Sequence, residues 1–280
     1  MKRYGLIGYP LGHSFSRNFF NEKFASENIQ AEYVNFEIPS IEQFPEIIRA
    51  NPNLAGLNVT IPYKEAVIPY LNRLDTDAAA IGAVNVIRIN RISPKETELV
   101  GYNSDVIGFS RSIEPLLEPH HKKALILGTG GASKAVNFGL KKLGLETLFV
   151  SRSRHDEHTL TYQELTPELM DEYKVIVNTT PVGMYPKAGF SPVPAEVAER
   201  FDKVIDLIYN PSETKLLSDA MNADKSNGLY MLVMQAVRAE EIWLGHDIPE
   251  FVAMEIVEEM KQLQEERVEA ERAKEKKAGL

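Results

Sequence analysis

Apolar residues in this chain come in short bursts, separated by stretches in which they recur every three or four positions. Tyr4–Gly8, Glu32–Ile38 and Leu54–Thr60 read as strands, and Phe19–Asn28 reads as a helix between the first two. Beyond them Pro62 suits the first turn of a helix, and TIPYKEAVIPYL carries apolar residues at helical spacing, so a helix is expected there. AVNVIRI and ELVGYN flank a turn at Ser93 and Pro94 and predict a hairpin. A second alternation opens at ALILGTGGASKAV, where a continuous apolar burst predicts a strand buried on both faces and a helix follows the glycines. ETLFV, KVIVN and DKVIDLI predict further buried strands, and Gly228–Gly245 a helix with a wide apolar stripe. Strands alternating with helices mark an α/β fold, and the boundary between two units falls near Asp105–Arg111. Glu255–Ala278 alternates acid and base at helical spacing and reads as a solvated helix or frayed end.

Composition narrows the class. The chain has 280 residues, enough for two domains, with 44% hydrophobic and 25% charged residues, which is ordinary globular content. Thirty-one basic against 40 acidic side chains give a net charge of −9, which argues against nucleic acid or an anionic membrane as partner. The absence of cysteine removes disulfides, zinc–thiolate sites and a thiol nucleophile, and fits a reducing compartment. The first residues are broken by Gly8, Pro10 and Gly12, too early for a signal peptide, and no apolar run is long enough to span a bilayer. A soluble, cytoplasmic protein is expected.

Gly128, Gly130 and Gly131 stand between a strand and a helix, where glycines let the backbone approach a pyrophosphate and the helix N-terminus faces its charge. The spacing differs from the commonest G-x-G-x-x-G, since Ala132 and Ser133 follow adjacent glycines. After the next strand come Ser151, Arg152, Ser153 and Arg154, where an NAD site would place a carboxylate. Two guanidinium groups and two hydroxyls there suit a ribose 2′-phosphate, so NADP is the expected cofactor, with Asp156 and Glu157 slightly beyond.

Polar residues also cluster at strand ends in the first half. Ser14 and Ser16 lie two apart, on one side of an extended segment, where hydroxyls can hold a carboxylate. Asn58 and Thr60 share one alternation, Lys64 follows, and Asn85 and Asp105 lie beside later strands. No metal is expected: the six histidines are scattered, with His120, His121, His155 and His158 in loops. His13 is open to either a substrate contact or a structural hydrogen bond.

GYPLGHSFS, GLNVTIPYK, GAVNVI, GYNSD, LGTGGASKA, NTTPVGM, DLIYNPSETKLL and GLYMLVMQA occur in an order and spacing that resemble the shikimate dehydrogenase family over nearly the whole chain. The resemblance implies reversible NADP-linked reduction of 3-dehydroshikimate to shikimate on the route to aromatic amino acids. It implies two α/β domains: a substrate-binding catalytic domain of residues 1–106 plus 231–258, and a Rossmann-like NADP-binding domain of 107–230. Residues 259–280 are left as a charged helical or frayed tail. It further implies that Ser14 and Ser16 bind the substrate carboxylate, and that Asn58, Thr60, Asn85, Asp105 and Gln235 hold its ring substituents with Tyr209 beside them. Lys64 and Asp105 would be the catalytic pair. Gly128, Gly130, Gly131, Ala132, Ser151, Arg152 and Arg154 would hold the cofactor, Thr179, Pro181, Val182 and Met184 would border it, and Met231 would approach both ligands.

The chain departs from the family pattern in places. Arg17 stands where proline is usual, Phe20-Asn21 replaces a His-Asn pair, Ser104 replaces threonine, and Ser151 and Ser153 replace asparagine and threonine. Ketone reduction needs a hydride on carbon and a proton on oxygen, and Lys64 can donate that proton while Asp105 orients the ammonium. A place in the first turn of a helix would disfavour the Lys64 cation and Asp105 would favour it, and the sequence leaves that balance open. Two other readings stand beside this one: a quinate/shikimate dehydrogenase with broader substrate or NAD use, and a non-catalytic NADP-binding regulatory module. A small-molecule substrate is expected in the enzymatic cases, with the chain a monomer or homodimer.

Overall fold

A computed structural model describes residues 1–11, 15–153 and 155–278. The chain divides into two compact units, Met1–Val106 with Arg238–His246 and Ile107–Val237 with Asp247–Leu280.

The first unit is built on six strands: β1 (Lys2–Gly8), β2 (Ala31–Glu37), β3 (Leu54–Val59), β4 (Arg73–Leu74), β5 (Val86–Ser93) and β6 (Glu96–Tyr102), in the order β2-β1-β3-β5-β6-β4. β1 lies parallel to β2 and β3, β5 runs antiparallel to β3, and β6 antiparallel to β5 in a hairpin. α1 (Phe15–Ser26), α2 (Phe44–Ala50) and α3 (Thr76–Ile81) connect these strands. α1 starts four residues earlier than its apolar spacing suggests, so Ser16 lies in a helical turn and not in an extended segment. Short hydroxyl side chains favour helix starts, and the Asn21 amide bonds back to the Arg17 carbonyl at 2.8 Å, holding that turn. Ser14 lies outside the described residues.

The segment after β3 holds the main correction to the sequence reading. Residues 60–71 contain no α-helix, only successive turns and a short 3-10 turn at Ile68–Tyr70. Tyr63 and Val67 are buried in the core as their spacing requires. The Val67 amide reaches the Tyr63 carbonyl at 3.0 Å as in a helix, but the Lys64 carbonyl accepts from the Val84 amide at 2.7 Å, and the Thr60 amide donates to the Ile7 carbonyl at 2.9 Å. Pro62 and Pro69 have no N–H to offer in their place.

The second unit is a six-stranded, wholly parallel sheet of β7 (Lys123–Leu127), β8 (Glu146–Ser151), β9 (Thr159–Thr161), β10 (Val175–Asn178), β11 (Lys203–Asp206) and β12 (Asp224–Ser226). Its order, β12-β11-β10-β7-β8-β9, runs outward in both directions from β7 and β10. Burial on both faces explains the unbroken apolar runs. Leu125, Leu127, Ile176 and Val204 face one core, while Ala124, Ile126, Val175, Val177 and Ile205 face the other with Phe109 of α4 (Asp105–Ile113) and Val136 of α5 (Gly131–Lys142). α6 (Pro167–Glu172), α7 (Ala195–Ala198) and α8 (Lys215–Asp219) complete the connections, followed by α9 (Leu229–Leu244) and α10 (Glu250–Ala278).

The unit boundary falls inside α9, and the first unit takes Arg238–His246. Packing explains the division. Leu229, Val233, Met234 and Val237 share a core with Ala253 and Val257 of α10. Trp243 instead stacks on Tyr4 at 4.8 Å, donates to the Ile87 carbonyl at 3.1 Å and covers Gly56, where any side chain would collide with the indole. α10 runs without a break into the charged segment after residue 259.

Candidate active site

The first unit gathers its polar residues where β3, β5 and the start of α4 meet. Lys64 Nζ donates to Asp105 Oδ2 at 2.6 Å, although the two residues are 41 positions apart. The lysine side chain is 17% exposed and the aspartate 5%. No helix starts at Lys64, and the Asp105 carboxylate is what its ammonium faces. Asn85, just before β5, holds Asp105 from the other side, its Nδ2 donating to Asp105 Oδ1 at 2.8 Å. Asn85 is fixed in turn: its Oδ1 accepts from the Ser104 amide at 2.7 Å, and its backbone bonds to Val59 and Tyr102. Asn103 Oδ1 accepts from the Asp105 amide at 3.1 Å. The carboxylate thus meets the Lys64 ammonium on one oxygen and the Asn85 amide on the other.

A hydroxyl chain runs beside this pair. Ser16 hydrogen-bonds the Tyr33 hydroxyl, which donates to Asn58 Oδ1 at 2.7 Å, and Asn58 Nδ2 reaches the Asn85 carbonyl at 3.4 Å. Burial pushes the Tyr33 phenol well above its ordinary value, so it stays a neutral donor. Tyr33 is a residue that sequence reasoning missed, since an aromatic on a strand reads as core. Its one signal is the spacing that puts it beside Tyr4 in the β1–β2 register. Thr60 is half-buried at the end of β3. Tyr209 and Gln235 are both half-buried and belong to the second unit, where Tyr209 packs against the α9–α10 core.

In the second unit the glycines lie at the C-terminal end of β7, where the strand order reverses and open α/β sheets place ligands. Gly128 has φ +101°, and a Cβ there would come within 2.9 Å of Thr179 Oγ1. Gly130 caps α5, and a Cβ on it would meet nothing within 4 Å, which leaves its backbone approachable. The first turn of α5, which includes Gly131 and Ala132, contains no acidic residue, and Ser133 Oγ ties the turn by donating to the Gly130 carbonyl at 2.6 Å. These features fit a dinucleotide pyrophosphate on helix amides. Ser151 is buried at the end of β8 and Arg152 is exposed just beyond it. Among the described residues no carboxylate pairs with Arg152, so its charge is available to an anion. Arg154 lies outside the described residues. Thr179, Pro181, Val182 and Met184 form the loop after β10, and Thr179 Oγ1 donates to the last carbonyl of β7, Leu127, at 2.6 Å. Met231 is 8% exposed and packs on Gly108 of α4.

Among the described residues one set comes within metal-ligand reach, His120, His121 and Asp202. Nδ1 of His121 already accepts the Glu118 amide at 2.9 Å, so the neutral ring carries its proton on Nε2, the atom facing Asp202 at 3.6 Å. That tautomer opposes metal binding. No helix among the described residues is long and apolar enough to cross a membrane.

The parallel sheet, its order of strands and the glycine turn at the reversal place the second unit in the dinucleotide-binding class of α/β domains. Comparison with known proteins carries the assignment further. Residues 6–87 match the family model of the shikimate dehydrogenase substrate binding domain. A shikimate dehydrogenase (NADP(+)) of Clostridium beijerinckii is 37% identical over 257 residues, covering 87% of this chain and 92% of the relative. The crystal structure of shikimate dehydrogenase 1 from Peptoclostridium difficile is 37% identical with a TM-score of 0.80, over 94% of this chain and 99% of that one. Shikimate 5-dehydrogenase from Thermus thermophilus, solved with NADP(H) and shikimate, is 28% identical with a TM-score of 0.77, over 92% and 99%. The chain belongs to the shikimate dehydrogenase family.

Proposed function

We propose that this chain catalyses the reversible NADP-linked reduction of 3-dehydroshikimate to shikimate, a step toward aromatic amino acids. The observation that carries the reading is the Lys64–Asp105 contact at 2.6 Å, clamped by Asn85. In this reading Met1–Val106 with Arg238–His246 binds substrate, and the parallel-sheet unit binds the dinucleotide. Lys64 donates a proton to the alkoxide oxygen as it forms and removes it in the oxidation direction. Asp105 keeps the ammonium on one trajectory and, as an anion, stabilises it between transfers. Ser16, Asn58, Thr60 and Asn85, with Ser14, would position the carboxylate and ring hydroxyls. Hydrogen bonds to each of those groups reject analogues that lack them.

Bound NADP supplies the hydride. Its pyrophosphate would rest on Gly128, Gly130, Gly131, Ala132 and the start of α5, and its 2′-phosphate on Ser151, Arg152 and Arg154. Thr179, Pro181, Val182, Met184 and Met231 would flank the remainder. Helix amides and arginine charge would let a chain of net charge −9 hold two anionic ligands.

Steady-state oxidation of shikimate and quinate with NADP and NAD tests the proposal. The expected result is the highest kcat/KM for shikimate with NADP. A higher value with NAD overturns the cofactor assignment, a higher value with quinate the substrate assignment, and NADP binding without turnover of either acid the enzymatic reading.

A further inference from the structure

One buried carboxylate has no part in the chemistry above. Asp206, the last residue of β11, is fully buried and lies directly opposite Asn178, the last residue of β10. Asn178 Nδ2 donates to its Oδ1 at 3.0 Å, the Ile208 amide donates to the same oxygen at 3.0 Å, and Thr214 Oγ1 donates to Oδ2 at 2.6 Å. Among the described residues no ammonium or guanidinium shares the site, and burial pushes the carboxyl up to about 6 against those three donors. A charge kept in such a place needs an explanation, because an apolar filler would avoid the cost of burying it.

The bonds continue toward the glycine turn. The carbonyl end of Asn178 accepts twice from Thr180, from its amide at 3.0 Å and its hydroxyl at 2.7 Å, and Thr180 Oγ1 accepts from the Val182 amide at 3.3 Å. Thr180 and Thr179 are the side chains that crowd Gly128. Thr214, on the far side of the carboxylate, also lies beneath Gly183, whose φ of +98° bends the same loop. One carboxylate therefore anchors two loops, 179–184 after β10 and 207–214 after β11, at the edge of the sheet where the dinucleotide is expected.

We propose that Asp206 and Asn178 are positioning residues for the dinucleotide, acting through Thr180 to hold the Thr179–Met184 loop against the Gly128 turn. The inference rests on the NADP reading above and adds the residues that set the loop. They touch neither the reacting oxygen nor Lys64, so their loss weakens dinucleotide binding and leaves the chemical step intact.

The test is a titration of NADPH fluorescence, with steady-state kinetics beside it, on Asn178→Ala, Thr180→Val, Asp206→Ala and Asp206→Asn. Losing one such hydrogen bond corresponds to about five- to tenfold in affinity. Asn178→Ala, Thr180→Val and Asp206→Ala are expected to raise the Kd and KM for NADP(H) by about that factor, with kcat within about twofold. Asp206→Asn keeps an acceptor for Asn178 and Ile208 but turns an amide N–H toward Thr214 Oγ1, which must then accept instead of donate, so it is expected to bind closer to the unaltered chain than Asp206→Ala does. Thr180 is only half-buried, so its variant decides the matter should Asp206→Ala fail to fold. An unchanged Kd in folded Asn178→Ala and Thr180→Val, with only the thermal midpoint lowered, overturns the inference. Because Kd is read without turnover, an unaltered chain that binds NADPH but oxidises no shikimate counts against the catalytic reading alone.

Discussion

Each unit buries an aspartate against an asparagine, and the further partners make the two pairs different. In the first unit Asn85 and Lys64 share Asp105. In the second Asn178 shares Asp206 with a threonine hydroxyl and a backbone amide. Under the proposed function, the Lys64 ammonium is what would make the first pair a group that passes a proton. Neutral, sealed donors make the second a fixed anchor that holds its charge at a cost. A buried carboxylate beside an amide therefore does not by itself mark a catalytic centre. What matters is a mobile proton within reach of solvent or substrate.

Three measurements bear on that contrast. Removing the ammonium should have the largest effect: Lys64→Ala is expected to lower kcat by ~10²–10⁴, the usual worth of positioned proton transfer, and to change KM for shikimate little. An unchanged kcat would remove Lys64 from the mechanism and leave the two pairs alike. Next comes pH. The Asp206 carboxyl titrates at about 6 in the folded chain against an ordinary 3.8, so folding favours its protonated form. The stability it contributes is complete below pH 3.8 and is lost as pH rises through about 6, amounting to about 3 kcal/mol. Urea melts of the native chain and Asp206→Asn should therefore diverge by about 2 kcal/mol between about pH 4 and about pH 6.5, the native chain losing ground. Parallel pH curves would show that the anchor is not held at a cost. The smallest effect is expected from Thr214→Val, which removes one donor to Asp206 and the side-chain cap of α8. A loss of about 1–2 kcal/mol at neutral pH is expected, measured by the same melts. Full stability would mean that the hydroxyl carries no share of the anchor.

Much of this was legible in the sequence, for reasons that differ by region. The second unit's strands are short apolar runs because both faces are covered, as a parallel sheet requires. The hairpin and the glycine turn announce themselves through Ser93, Pro94 and Gly128–Gly131. Residues 60–71 misled because their helical spacing is real while their hydrogen bonds are tertiary: Val84 takes the Lys64 carbonyl, and no local pattern reports that. The convergence of Lys64 and Asp105 was an expectation from family resemblance, since a gap of 41 residues carries no geometric signal of its own. Asp206 escaped notice because a buried acid and a solvated one look the same in a string of letters.

Trp243 has a consequence for how the polypeptide is made. The chain leaves the first unit at Val106 and re-enters it only at Arg238, so the indole that covers Gly56 emerges from the ribosome after every strand of the other sheet. Until then the nascent N-terminal portion has an uncovered floor of Tyr4, Phe20 and Tyr33 rings. Its maturation must therefore wait for the inserted unit, and a fragment ending before position 238 would present that aromatic surface to solvent or to chaperones.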